Sequence, residues 1–208
     1  MYRLIYANLT TQGLQEQAAR CLPSRMLNQA PSGVRRASWL AGRILLTHAL
    51  SPSPLPEIIA TVQGKPGFAA PVTYWFNLSH SGDSIMLLLS DEGEVGCDIE
   101  IIRPRKNWPR IAKSVFSAAE QARIKQADDA QQLSLFWQIW TEKEALLKQR
   151  SGTVWEMAQK DSPSVTTQLQ GQFISHTVHN NLSVAVCTPT PFSISPATVE
   201  TYVWPFIE

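Results

Sequence analysis

Two carboxylates in Val95-Gly-Cys-Asp-Ile-Glu-Ile-Ile102 give the strongest chemical signal in this 208-residue chain. In an extended strand alternate side chains point opposite ways. Val95, Cys97, Ile99 and Ile101 then share one face, and Gly96, Asp98 and Glu100 share the other. The two acids would stand about 7 Å apart, in a conformation that Asp disfavours and where like charges repel. A hard divalent ion such as Mg²⁺, held by one or two protein carboxylates and substrate phosphates, would remove the conflict. Without such an ion the pair is simply the wet face of an edge-like strand.

The second constellation is Trp140-Thr-Glu-Lys-Glu-Ala-Leu-Leu-Lys148. On a helix Glu144 and Lys148 lie one turn apart on a stripe with Trp137 and Thr141, while Lys143 lies on the flank with Trp140 and Leu147. In isolation this is an ordinary surface pair. Opposite the carboxylate strand, Glu144 would become a third metal ligand and Lys148 a phosphate clamp. His80, in Asn77-Leu-Ser-His-Ser-Gly-Asp83, closes a strand, and with the hydroxyls of Ser79 and Ser81 it is suited to binding phosphate. His176 and His179 have no third ligand at useful spacing. The GxSxG elbow and the GxxxxGK[ST] and GxGxxG cradles are absent, which removes serine-hydrolase, P-loop and dinucleotide chemistry.

The elements that must carry these groups are legible in the hydrophobic pattern. Residues 33–50 space Trp39, Leu40, Ile44, Leu46 and Leu50 helically before SPSPLP ends the run, and Arg36 and Arg43 share one face of that helix. After a turn at 63–67, strands are predicted at Thr73–Ser79, Ser84–Ser90 and Glu94–Ile102. The short turns between them predict an antiparallel meander with apolar Ile85–Leu89 in its middle strand. That pairing would bring His80 within roughly 10 Å of Glu100. Helices are predicted at 108–125 and 129–150, and strands at Leu182–Cys187 and Val199–Trp204. Helix followed by strands thus occurs twice. The expected class is α+β, with two similar halves, 1–104 and 105–208, each an antiparallel sheet packed with helices.

Composition narrows the partners. Hydrophobic residues make up 44% and charged residues 17%, against about 25% charged in an average globular chain, which excludes disorder. A net charge of +1 excludes an all-over basic coat for nucleic acid. The charge is uneven, however: residues 103–125 hold seven Lys or Arg against Glu120 alone, and 161–208 hold three acids and no Lys or Arg. Cys21, Cys97 and Cys187 form no paired framework and fit a reducing compartment. No stretch approaches about 18 uninterrupted apolar residues, so the expectation is a soluble cytoplasmic protein without a membrane partner.

Gly64-Lys-Pro66, Phe76-Asn-Leu-Ser-His-Ser81, Val95-Gly-Cys-Asp-Ile-Glu100, Phe116-Ser-Ala-Ala-Glu120 and Trp140–Lys148, taken in order, resemble the motifs of the 4′-phosphopantetheinyl transferases, in the large pseudo-dimeric Sfp-type class. The visible departure is Cys97, where many members carry Ile or Val. The resemblance implies Mg²⁺-dependent transfer of the phosphopantetheine arm of coenzyme A to a serine of an apo acyl or peptidyl carrier protein, releasing adenosine 3′,5′-bisphosphate. It implies Asp98, Glu100 and Glu144 as Mg²⁺ ligands, and Glu120 as the general base, acting directly or through water. Lys148 would neutralise charge on the leaving phosphate. Arg36, Arg43, Lys65, Ser79, His80 and Lys148 would contact coenzyme A. Carrier proteins of the family are typically acidic, so Arg103, Arg105, Lys106, Arg110 and Lys113 become docking candidates. Two fused halves imply a monomer. The competing readings are a Mg²⁺-dependent nucleotide phosphohydrolase, which needs no carrier, and a catalytically silent carrier-binding module.

Overall fold

The computed structural model describes residues 1–10, 13–61, 64–152, 156 and 171–204. In chain order the elements are β1 (Tyr2–Asn8), α1 (Leu14–Cys21), the single turn α2 (Ser24–Leu27), α3 (Arg35–Leu50), β2 (Ile58–Ala60), β3 (Pro66–Phe68), β4 (Trp75–Ser81), β5 (Ser84–Ser90), β6 (Gly96–Ile101), α4 (Trp108–Val115), α5 (Ala118–Gln126), α6 (Asp129–Gln149), β7 (Phe173–His179), β8 (Leu182–Thr188) and β9 (Val199–Thr201). The class is α+β. One sheet runs β4-β5-β1-β9, a second runs β6-β8-β7, and β2 and β3 form a small hairpin pair.

Alternation along the strands builds the layers. Ile5, Ala7, Ile85, Leu87 and Leu89 face α1 and α3, where Leu40, Ile44 and Leu45 are almost wholly buried. Burying a side chain of this size stabilises by about 1.5–3 kcal/mol relative to exposure. From the opposite face, Leu4, Tyr6, Met86 and Leu88 pack on Val95, Cys97, Ile99, Val184 and Val186 of the second sheet. Ala185, Cys187 and Ile174 on that sheet's far face meet Ala145 and Leu146 of α6. The order through the molecule is therefore helix, sheet, sheet, helix. A smaller helical core of Phe116, Ile124, Phe136 and Trp137 ties α4 and α5 to α6.

Three expectations change. β4 and β5 form the predicted hairpin, but β5's other edge is taken by β1, a strand not anticipated from sequence. The third strand of the expected meander, β6, instead pairs with β8. It lies alongside β4 without a backbone ladder: Asn77 Oδ1, Ser79 Oγ and Ser81 Oγ accept the N–H groups of Cys97, Ile99 and Ile101 at 2.9, 3.2 and 3.2 Å. The two sheets thus meet edge to edge through side chains. The helix predicted at 108–125 breaks at Phe116, because Ser117 starts α5 with a reciprocal Ser117–Glu120 capping box. The last predicted strand is shorter than its apolar run, Val199–Thr201, and pairs in parallel with β1. The turn expected at 63–67 begins at Gln63, outside the described residues.

Strands β1 and β6 share one connection, although β1 lies between two strands and β6 at the edge of its sheet. Each precedes helices and then a hairpin whose second strand pairs antiparallel with it, β5 for β1 and β8 for β6.

Candidate active site

Gly96 determines where the acids stand. A Cβ built on it would lie 1.9 Å from the Ala145 carbonyl oxygen and 2.5 Å from the Gln149 nitrogen. The α6 backbone therefore rests directly on β6 at that residue. Asp98 and Glu100, the next residues on the same face, look along α6 towards its Trp140–Lys148 stretch. There Trp140, Glu144 and Lys148, spaced four residues apart, line one cavity of about 300 Å³ with Ser79, His80, Asp98 and Glu100, walled further by Leu78 and Ile99.

Asp98 is the most enclosed of the three cavity acids, 5% exposed. Its Oδ1 accepts from Lys148 Nζ at 2.6 Å and from Ser79 Oγ at 2.9 Å. Its Oδ2 is buried without a hydrogen-bond partner among the described residues. Burial pushes the Asp98 carboxyl above its usual range, against the pull of Lys148 and Ser79. Glu144 is pushed up to about 7 by burial and then by the neighbouring charge of Asp98, with Glu100 adding to it and Lys148 opposing. Burial draws Lys148 down, but the charge and hydrogen bond of Asp98 outweigh it and the ammonium ends above its ordinary value. Glu100 accepts from Ser81 Oγ at 2.7 Å.

This is a cavity with three acids, one ammonium and an orphaned carboxylate oxygen. Among the described residues no three His, Cys, Asp or Glu side chains are closed into a ready metal cluster. The donor set nonetheless suits a hard cation: all oxygen, more negative than Lys148 balances, and with Asp98 Oδ2 unused.

Six of the residues singled out in the sequence converge here: Ser79, His80, Asp98, Glu100, Glu144 and Lys148. The others lie apart from this lining. Glu120 is buried, accepts from the Ser117 N–H at 2.7 Å and pairs with buried Lys143 at 3.2 Å. Lys65 Nζ reaches Glu94 Oε2 at 2.6 Å and the carbonyl oxygens of Val95 and Gln149 at 3.0 and 3.3 Å, clamping the approach to β6 against the end of α6. Arg36 donates to the carbonyls of Ala30 and Pro31 at 3.4 and 3.5 Å. Arg43 stacks 4.1 Å from the Trp39 ring and lines a separate cavity of about 160 Å³ with Arg25 and Glu57. Trp140, placed on the Lys143 flank from sequence, turns out to be a cavity wall. Its four-residue spacing to Glu144 and Lys148 was the available signal.

Comparison with known proteins places the chain in a family. The model of the 4′-phosphopantetheinyl transferase superfamily matches residues 94–187. The 4′-phosphopantetheinyl transferase AcpT of Salmonella typhimurium is 52% identical over 201 residues, 96% of this chain and 98% of that protein. AcpT of Escherichia coli K12 is 52% identical over 200 residues, covering 96% and 97%. The 4′-phosphopantetheinyl transferase psf-1 of Bacillus pumilus is 34% identical over 114 residues, 52% of this chain and 48% of that one. Since the likeness to the AcpT proteins runs along nearly the whole length and the matched segment holds all three cavity acids, the chain belongs to the 4′-phosphopantetheinyl transferase superfamily.

Proposed function

We propose that the protein moves the 4′-phosphopantetheine arm of coenzyme A onto a serine of an apo acyl or peptidyl carrier protein, with Mg²⁺ and with release of adenosine 3′,5′-bisphosphate. The observation that carries the reading is the gathering of Asp98, Glu100, Glu144 and Lys148 in one cavity, with Asp98 Oδ2 unsatisfied. In the reaction the serine oxygen bonds to the phosphorus that bears pantetheine. The pyrophosphate P–O bond breaks, the serine proton passes to a base, and the electron pair leaves with the nucleotide phosphate. Such chemistry needs positioning and charge neutralisation more than covalent help.

Asp98, Glu100 and Glu144 would hold Mg²⁺, which when bound neutralises pyrophosphate charge. Lys148 supplies a fixed positive charge at the same place. His80 is the exposed imidazole at the rim and the first phosphate donor. Ser79 joins it by giving up its bond to Asp98. Lys65, Arg36 and Arg43 are proposed to contact the rest of coenzyme A from outside the cavity. Glu120 is proposed as the base, reaching the serine through water. Glu144, whose carboxyl burial and the charge of Asp98 push up to about 7, would give up its proton on taking Mg²⁺ and act as a ligand rather than as the base.

Carrier docking is proposed on Arg103, Arg105, Lys106, Arg110 and Lys113, all exposed and none ion-paired with a described residue. Arg105 lies over Trp137 and Trp140 at 5.6 and 5.7 Å, so this basic stretch starts at the cavity wall. The like topology of the β1 and β6 units supports reading the chain as two related halves and a monomer, with the second unit opening at β6, ahead of residue 105. Free Cys97 and Cys187, both buried, agree with a cytoplasmic setting, and no helix among the described residues is long and apolar enough to cross a membrane.

The deciding assay incubates the protein with coenzyme A, Mg²⁺ and an apo carrier and weighs the carrier. A gain of one phosphopantetheine is expected with the native chain and none with Asp98→Ala, whose circular dichroism should stay native. Coenzyme A cleavage without any carrier would favour the phosphohydrolase instead.

A further inference from the structure

The seam between β4 and β6 has three teeth, and they are not equivalent. Asn77 accepts the Cys97 N–H and makes no hydrogen bond to an acid among the described residues. Ser79 accepts from Ile99 N–H and from Lys148 and donates to Asp98. Ser81 accepts the Ile101 N–H at 3.2 Å and lies 2.7 Å from Glu100 Oε2. An amide only donates, so the one hydroxyl proton of Ser81 is directed at the carboxylate. Ser81 is 8% exposed and held at the strand end, whereas Glu100 is only half-buried and makes no other hydrogen bond or ion pair with a described residue. The orientation of the Glu100 carboxylate therefore depends on this hydroxyl, because a glutamate has three rotatable bonds and Ser81 is its sole hydrogen-bonding anchor among the described residues.

We propose that Ser81 is a positioning residue that fixes Glu100 in the cavity for a divalent cation. This rests on the Mg²⁺ reading above and adds a residue to it. Groups that orient a metal ligand typically account for about 10–100-fold in affinity. Asn77 supplies the internal control, since it closes the same seam without reaching a ligand.

The test uses the full metal-free chain and Mn²⁺ alone as probe, with free Mn²⁺ followed by electron paramagnetic resonance. Ser81→Ala is expected to weaken Mn²⁺ binding about tenfold, and Ser81→Thr to restore it. Asn77→Ala should bind Mn²⁺ as the native chain does, although amide exchange quickens at Cys97 as it does at Ile101 in Ser81→Ala. If Ser81→Ala does not fold, Ser81→Cys, a weaker donor of similar shape, should show a smaller loss in the same direction. The inference is overturned if Asn77→Ala costs as much affinity as Ser81→Ala. It also fails if Glu100→Ala weakens binding while the Ser81 variants leave it unchanged. No effect in Glu100→Ala or Ser81→Ala alike would overturn the metal reading itself, and this inference with it.

Discussion

Glu144 sits among groups that all act on its proton: burial and Asp98 push it up to about 7, Glu100 adds to this and Lys148 opposes it. As a ligand it must give that proton up, so Mg²⁺ affinity should rise as pH passes through that value. Glu144→Gln should flatten that rise and cut single-turnover transfer at least about tenfold with the melting temperature held. Glu120→Gln tests the base. If Glu120 only balances buried Lys143, the variant loses a few kcal/mol, about what breaking a buried pair costs. A fall in turnover at native stability and native coenzyme A affinity would instead keep Glu120 as the base. His176 gives a pH prediction. Burial, with Arg123 adding, lowers its imidazole to about 4, while its Nε2 lies 2.9 Å from Ser183 Oγ. The unfolded imidazole titrates near 6.5 and takes the proton first, so this stability is complete above about pH 6.5 and drains away as pH falls towards 4. His176→Gln should flatten the urea midpoint across that window. At this scale Asp98 with Glu100 and Glu144 with Lys148 were legible, since strand and helix periods are local. The Glu120–Lys143 pair was not, because it joins two helices whose angle no short-range pattern encodes.

Among the elements, β6 and α6 carry the acids, and Gly96 sets their distance. Gly96→Ala places a methyl inside the Ala145 carbonyl. Overpacking of this kind costs about 1–3 kcal/mol. Transfer should fall further than the stability loss explains, because α6 must back away from Asp98. Denaturant titration and the mass assay, run on the same preparation, check both. The glycine itself was visible in the sequence as a residue without a side chain beside two acids, but what occupied the space was not. The β4–β5 hairpin was readable from its short turn. The partner of β6 was not, since alternation shows which face of a strand is buried and leaves its edges unassigned. Ser117-Ala-Ala-Glu120 carried a readable helix start that divides 108–125 in two.

For the whole molecule, the net charge of +1 conceals a basic stretch beside a cavity of acids. Reversing Arg105 and Lys106 to Glu should raise the carrier KM about tenfold at low salt and leave kcat nearly intact, with the difference shrinking as salt rises. An unchanged carrier KM would remove the docking assignment. Arg105 also leaves two indole faces in that variant, so Arg105→Lys separates stacking from charge. The repeated helix-then-strand order was legible at this scale. The crossing of β9 back to β1 was not, because three paired residues at the far end of the chain leave little pattern.

The seam has a spectroscopic consequence. The hydroxyls that touch Asp98 and Glu100 also hold the amides of Ile99 and Ile101, so a change of charge in the cavity is transmitted to two backbone protons through one oxygen each. Those two resonances should shift when Mn²⁺ or Mg²⁺ is titrated into the cavity, and the Cys97 amide, tied to Asn77, should stay still as their reference.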